Sequence, residues 1–114
     1  MHRAGSDPAN MTAEDFLCDF CLNHWAEDRP MVEGHRGGLI CGECLTSAYR
    51  LLILQHGGTR VEPHVNCVLC LLHRDVEHWV SPRDSGVVLC RQCLELGIRT
   101  FERDPESGWT RPSE

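Results

Sequence analysis

The amino-acid sequence predicts a small α+β fold that zinc stabilises, built from two tandem modules with a knuckle, a β-hairpin and a helix each. All eight cysteines lie in four CxxC pairs, and nineteen residues separate the two pairs of each set. The second set repeats the first at an offset of 49 residues. Pairs at such spacing are typical of four-cysteine zinc sites, and the repeat indicates two copies of one unit. We therefore expect two Zn²⁺ ions.

The eight cysteines are the predicted metal ligands, and two ways of sharing them are open. In a sequential arrangement each copy binds its own ion, whereas in a cross-brace alternate pairs share one. We favour the sequential arrangement because each copy is then self-sufficient, and because the predicted helix fills most of the gap between the sets. Its ligands are Cys18, Cys21, Cys41 and Cys44 for the first ion, and Cys67, Cys70, Cys90 and Cys93 for the second.

Histidines and tryptophans lie close to the cysteines. His24 and His73 each follow a knuckle by three residues, but either would be a fifth donor to a tetrahedral ion. We expect both to pack or hydrogen-bond beside the clusters. Trp25 and Trp79 are expected in the packing of the modules. Trp109 lies in a polar segment, where it either anchors a partner or docks back onto this chain.

Composition divides the chain into two modules with polar segments around them. We predict mobile tails at 1–14 and 104–114, zinc-binding modules at 15–57 and 66–103, and a linker at 58–65. In the first module, one predicted hairpin arm lies within 24–33 and the other near 39–40; in the second module the arms are 79–80 and 87–89. Gly34, Gly37 and Gly38 supply the turn of the first hairpin.

The second cysteine pair of each module is predicted to begin a helix. After Cys44, apolar residues recur at helical spacing until Gly57, and Leu94 and Ile98 share one helical face in the second copy. The partial positive charge of a helix N-terminus favours the net negative charge of a four-thiolate zinc centre. The order of knuckle, hairpin and helix is that of a treble clef.

The short length of each module and the lack of a secretory signal favour metal binding over disulfides. Each module spans about 35–40 residues, a size that rarely folds without metal or disulfides. Residues 1–15 lack the apolar region of a secretory signal, and the longest aliphatic run, 51–54, is too short to cross a membrane. We expect a cytoplasmic protein without membrane association, where thiols stay reduced. A disulfide framework and redox-active CxxC pairs are the alternatives.

The charge pattern disfavours nucleic acid, and the residue types disfavour catalysis. The formal net charge is −6 before metal binds, and the basic residues are scattered, so nucleic-acid binding is not expected. All eleven basic residues are arginine. Without lysine there is no Walker A motif and no Schiff-base lysine. A zinc ion with four protein ligands has no open position for water, so we expect no enzymatic activity.

The first copy carries a C-x-F-C knuckle at Cys18, an apolar pair with glycine at 31–34, and an L-I-C-G-E-C-L helix start at 39–45. These motifs resemble the C4 zinc-binding domain of the ClpX unfoldase family, and the second copy, with Leu69 in place of the aromatic residue, matches less well. The resemblance implies a treble clef that dimerises and engages adaptors and substrate proteins. These residues include no ATPase module, so the resemblance does not imply unfoldase activity.

We expect a non-enzymatic protein–protein interaction module, in the form of an adaptor or regulator linked to a ClpX-like proteolysis or chaperone system. The first helix is more apolar than one small module needs, so the copies are expected to pack as an intrachain pseudo-dimer. A further homo-oligomer stays open. The alternatives are a nucleic-acid-binding zinc-finger regulator, a thiol redox sensor that releases zinc on oxidation, and an enzyme with an open zinc position.

Overall fold

The structure is a computed structural model that describes residues 16–34, 36 and 38–112. The tail predicted at 1–14 and the predicted turn residue Gly37 lie outside the described residues. The described part is a small mixed α+β domain with two sheets and two helices. Within it, no helix is both long enough and apolar enough to cross a membrane.

The first half contains a two-stranded hairpin that leads directly into a helix. Strands β1 (Met31–Glu33) and β2 (Leu39–Cys41) pair antiparallel. Helix α1 (Gly42–Tyr49) begins at once, with Cys41 as its N-cap residue. The second cysteine pair therefore lies at a helix N-terminus, as predicted.

Helix α1 continues into a π-helical turn over Arg50–Leu54. The backbone N–H of Gln55 donates to the carbonyl of Arg50 at 2.9 Å, which is the i→i+5 bond that defines a π-turn. His56 follows with a left-handed φ of 51° and ends the helical path. The helical path thus ends just before Gly57, where the sequence predicted its end.

The second half contains a three-stranded sheet and a longer helix. Strands β3 (Thr59–Arg60), β4 (Glu77–Val80) and β5 (Val88–Cys90) lie in that order, and each neighbouring pair is antiparallel. Helix α2 (Arg91–Arg103) follows β5, with Cys90 as its N-cap residue. Strand β3 belongs to the segment predicted as a linker, whose backbone groups find hydrogen-bond partners in β4.

The two knuckles are closely similar turns. The backbone N–H of Leu22 donates to the carbonyl of Cys18 at 2.9 Å, and that of Leu71 donates to the carbonyl of Cys67 at 2.7 Å. Leu22 and Leu71 have left-handed φ values of 63° and 58°. Leucine rarely adopts this conformation, so the same strained turn in both copies indicates that the knuckle requires it.

One hydrophobic core joins the two halves. Leu45 of α1 and Leu94 of α2 are each 0% exposed, and Gly97 of α2 lies against the end of the Leu45 side chain. The ring of Phe20 in the first knuckle lies 5.3 Å from that of Trp79 in β4. The prediction that Trp79 packs within the modules is confirmed, because its side chain is buried in this shared core.

Glycines let the first hairpin approach the second knuckle closely. A Cβ atom on Gly34 would lie 2.6 Å from the carbonyl oxygen of Leu69, and one on Gly38 would lie 2.5 Å from that of Val68. Any side chain at either position would therefore force the backbones apart. The sequence predicted both glycines from turn conformation alone, and the structure gives them this second role at the contact between the copies.

Polar contacts across the same boundary fix how the copies meet. The hydroxyl of Ser81 donates to the carbonyl of Phe20 at 2.6 Å, and both residues are buried. The guanidinium of Arg83 donates to the carbonyl of Asp19 at 2.8 Å. These bonds tie the loop after β4 to two backbone carbonyls of the first knuckle.

The segment after α2 returns to the surface of the domain. The indole of Trp109 stacks on Phe101 with ring centroids 5.7 Å apart. Its Nε1–H is within hydrogen-bond distance of the Gly42 carbonyl at 3.1 Å and the Thr46 hydroxyl at 2.9 Å. Of the two predicted roles for Trp109, the structure has the docked one. The mobility of 104–114 stays a prediction.

Candidate metal centres

The first cysteine cluster joins the first knuckle to the start of α1. Its members are Cys18, Cys21, Cys41 and Cys44. Their four Sγ atoms lie within 4.8 Å of one another. The Sγ atoms of Cys18 and Cys44 are 3.8 Å apart, and those of Cys21 and Cys41 are 3.7 Å apart. All but Cys21 are buried, so the cluster is closed on most sides.

The second cluster repeats this arrangement between the second knuckle and α2. Its members are Cys67, Cys70, Cys90 and Cys93, again with all Sγ atoms within 4.8 Å of one another. The Sγ atoms of Cys70 and Cys90 are 3.9 Å apart, and Cys70 is the half-buried member. The structure thus gathers the cysteines in the sequential arrangement, not as a cross-brace.

The sulfur spacing fits a tetrahedral ion. Four sulfurs bound at the usual zinc–sulfur distance of 2.3 Å lie about 3.8 Å from one another. The measured Sγ–Sγ distances of 3.7, 3.8 and 3.9 Å agree with that spacing. Sulfurs in a disulfide lie about 2 Å apart, and all eight cysteines are free thiols. Each cluster could therefore hold one metal ion.

The close packing of the thiols in the first cluster lowers the pKa of one and raises the pKa values of others. Contacts with the thiols of Cys41 and Cys44 lower the pKa of Cys18 to about 2. The same contact with Cys18 raises the pKa of Cys41 to about 12, and contacts with Cys18 and Cys41 raise the pKa of Cys44. Without a cation, one ionised thiol thus keeps its neighbours protonated. A divalent ion removes this conflict because it attracts all four thiolates.

The pKa values of the second cluster are divided in the same way, with one thiol lowered and others raised. Hydrogen bonds from Cys67 and Cys93 lower the pKa of Cys90, whereas the contact with Cys90 raises the pKa of Cys67 to about 11. Contacts with Cys67 and Cys90 raise the pKa of Cys93.

Backbone N–H groups point at cysteine sulfurs in both clusters. In the first cluster, the N–H groups of Phe20 and Cys41 both lie 3.4 Å from the Sγ atom of Cys18. In the second, the N–H of Cys93 lies 3.4 Å from the Sγ atom of Cys90. Hydrogen bonds of this kind favour the thiolate, which is the form that binds metal.

An arginine distinguishes the second cluster from the first. Arg74 is half-buried and lies beside Cys90 and Cys70. Desolvation opposes the charged form of Arg74, but its interactions with Cys90 and Cys70 raise its pKa above the usual value. The first copy has Trp25 at the corresponding repeat position. The side chain at this position is thus a cation beside the second cluster and an uncharged indole in the first copy.

The histidines within 16–34 and 38–112 take no part in the clusters. His24 and His73 are exposed, and neither belongs to a potential metal-binding group among the described residues. The Nδ1 of His73 lies 3.1 Å from the carbonyl oxygen of Val65. His78 is fully buried, with its Nδ1 atom 2.7 Å from the carbonyl oxygen of Val76. The expectation that His24 and His73 are not ligands therefore agrees with the geometry.

Two features of the site region escaped prediction from the sequence. One is the contact of Arg74 with the second cluster, which the repeat could have revealed because the copies differ sharply at this position. The other is the seat for the Trp109 indole at Gly42 and Thr46, at the start of α1. No local pattern marks that seat, because its members lie more than sixty residues from Trp109 in the sequence.

Comparison with protein-family models finds no family that matches this chain, and comparisons with curated proteins and with solved structures find no match.

Proposed function

We propose that the protein is a zinc-stabilised tandem treble clef, packed as an intrachain pseudo-dimer, that acts as a non-enzymatic protein–protein interaction module. The observation that carries the proposal is the pair of closed four-cysteine clusters, each built from a knuckle and a helix N-terminus. The hairpin between those two parts in each half completes the order of elements of a treble clef. The shared core supports the pseudo-dimer.

Zinc is the proposed occupant of both clusters. Tetrahedral sets of four thiolates are typical of structural zinc and of iron–sulfur sites. Zinc suits a small fold whose two helices both start at ligand pairs, because metal binding then contributes directly to folding. The N-terminal ends of α1 and α2 oppose the negative charge of the thiolates.

A structural role is favoured over a catalytic one. Each cluster offers four cysteine sulfurs, which complete the coordination of a zinc ion and leave no position for water or substrate. The clusters therefore stabilise the fold, and the function belongs to the surface around them. With a formal net charge of −6, that surface is poorly suited to nucleic-acid phosphates.

The link to a ClpX-like proteolysis or chaperone system comes from the sequence resemblance of the first copy alone. From this resemblance we propose adaptors or substrate proteins as the class of partner. We therefore predict that the zinc-loaded protein captures proteins from a lysate of its native host. The matched control is Cys41→Ser, which removes one ligand of the first cluster. Loss of capture in the variant would support a zinc-dependent surface, and recovery of nucleic acid instead of protein would contradict the proposal.

A further inference from the structure

We propose that the groove between the start of α1 and the face of α2 recognises a peptide segment with tryptophan followed two residues later by arginine. The tail of this chain, residues 109–111, occupies the groove in cis. A partner protein that presents an exposed segment of the same chemistry displaces the tail. The inference rests on the proposed interaction function and names one surface for it.

The tryptophan seat is the part of the groove that holds the Trp109 indole. It contacts the face of the ring and provides hydrogen-bond acceptors for the indole N–H. The Trp109 ring stacks on Phe101, and its Nε1–H meets the Gly42 carbonyl at 3.1 Å and the Thr46 hydroxyl at 2.9 Å. A Cβ atom on Gly42 would lie 3.0 Å from Cδ1 of the indole, so only glycine leaves the ring this space. Stacking plus a paired N–H is the arrangement by which tryptophan anchors interfaces.

The arginine seat lies beside it. The guanidinium of Arg111 is 2.8 Å from a carboxylate oxygen of Glu102 on α2. The same guanidinium lies 5.8 Å from the ring centroid of Tyr49 at the end of α1, within the range of a cation–π contact. The two seats are spaced for residues i and i+2 of one segment, and their partners come from both helices.

The tail is attached to the groove mainly through these two side chains. Asp104, Pro105 and Glu106, which connect it to α2, are exposed, and Gly108 has open space around it with a left-handed φ of 68°. The Ser107 hydroxyl donates to the carbonyl of Phe101 at the end of α2 and accepts from the N–H of Trp109 within the segment. A strap with so few buried contacts opens at low cost compared with the core.

Two cavities adjoin the groove. A cavity of about 180 Å³ lies against Trp109 and is also bounded by Asp28, Glu43 and Gly108. A larger one of about 570 Å³ shares Ser107 with it and is bounded by Trp25, Phe101, Glu27, Asp104 and Glu106. Its three carboxylates favour basic residues in a longer segment that fills more of the groove. A partner segment can therefore make contacts that the tail does not.

The test measures binding of a synthetic peptide of residues 104–114, labelled with fluorescein, to the zinc-loaded full chain by fluorescence anisotropy. The Trp109→Ala variant of the protein empties the seat, so we expect it to bind the peptide about tenfold more tightly than the wild type, given an effective tail concentration near 1 mM and an intrinsic Kd near 0.1 mM. The control peptide has alanine in place of tryptophan and should not bind. Thr46→Val in the Trp109→Ala background removes the hydroxyl acceptor and should weaken binding severalfold.

Equal binding by both proteins, or no binding to a Trp109→Ala variant that retains its zinc and helix content, would overturn the inference. If that variant does not fold, Arg111→Ala decides in the same way, since it loosens the tail and keeps the indole. A concentration-dependent wild-type dimer that Trp109→Ala abolishes would assign the groove to the tail of a second copy and overturn the partner assignment. If the peptide test fails but the protein still captures partners from a lysate, the interaction function stands and uses another surface.

Discussion

The two copies of the cysteine repeat share their knuckles and differ in what surrounds them. Leu22 and Leu71 adopt the same left-handed turn, and both helices start at their third cysteine. Yet the first copy has a two-stranded sheet and the second a three-stranded one, and Arg74 of the second replaces Trp25 of the first. A four-cysteine cluster thus constrains only its immediate turns and helix start, as expected if a bound metal ion supplies much of the folding free energy.

The copies are nevertheless not independent. Their buried residues form one core, and the first hairpin meets the second knuckle at Gly34 and Gly38. Each copy therefore completes the core of the other, in addition to its own metal centre. Substitutions in each copy measure how far the two differ and how strongly they are coupled.

The largest effect is expected from removing one metal ligand. Cys44→Ser or Cys93→Ser eliminates one zinc ion, which contributes about 10–16 kcal/mol of apparent binding free energy in small zinc-dependent folds. Because the core is shared, either variant should lose structure in both halves. Zinc content and far-ultraviolet circular dichroism report the loss. If each variant kept the ion and helix of the untouched copy with native-like cooperativity, the copies would be independent and this account would be wrong.

The core leucines that correspond in the repeat should have similar energetic roles. Leu45→Ala and Leu94→Ala each remove a side chain that is 0% exposed, so the free energy of unfolding should fall by about 2–5 kcal/mol in each case. Leu96→Ala is the matched control on α2. Its side chain is 44% exposed, and the change should cost less than about 1 kcal/mol. Denaturant titration of the zinc-loaded proteins measures all three, and a large difference between Leu45→Ala and Leu94→Ala would break the equivalence.

Arg74 should make the second metal centre the better protected of the two. Arg74→Leu removes the cation beside Cys70 and Cys90, and changes beside a metal site typically lower metal affinity about 10–100-fold. Chelator competition should show that one of the two zinc ions leaves more readily while the other is unchanged. Arg91→Leu, at an exposed position next to Cys90 on α2, is the control. An equal effect from both substitutions would assign the loss to net charge alone.

The smallest effect is expected at the strained knuckle leucine. Leu71 is 53% exposed, so little burial is lost when it is replaced. Leu71→Gly relieves a left-handed conformation that costs about 1–2 kcal/mol, against about 0.5–1 kcal/mol for the greater freedom of glycine in the unfolded chain. A small gain in Tm should result. Leu71→Val should lower Tm, because a branched Cβ is worse at positive φ. The same order is expected at Leu22 if the knuckles are equivalent.

The cysteine spacing was enough to predict both clusters and the elements that follow them. CxxC pairs fix the knuckles because a thiol pair can share an ion only from a tight turn, and apolar periodicity after Cys44 and Cys93 marks α1 and α2. The second hairpin lies close to its predicted arms, at Glu77–Val80 and Val88–Cys90. These features depend on residues that are near one another in the sequence.

What the sequence did not reveal depends on contacts between distant segments. Strand β3 is short and fully exposed, so no alternation of buried and exposed residues marked it, and only its pairing with β4 defines it. The docked position of Trp109 depends on Gly42 and Thr46 in the other copy. Single-sequence patterns carry no information on such pairs, because the partners are chosen by tertiary packing.

The central claim is that the eight cysteines form two separate four-thiolate zinc centres, one in each copy. Metal analysis of the purified protein, combined with its mass under native and denaturing conditions, tests the claim most directly. The account predicts two zinc ions per native chain, eight free thiols after denaturation, and one zinc ion in any folded fraction of Cys41→Ser or Cys90→Ser. One ion or none in the wild type, bound iron, or a mass that reveals disulfides would contradict it.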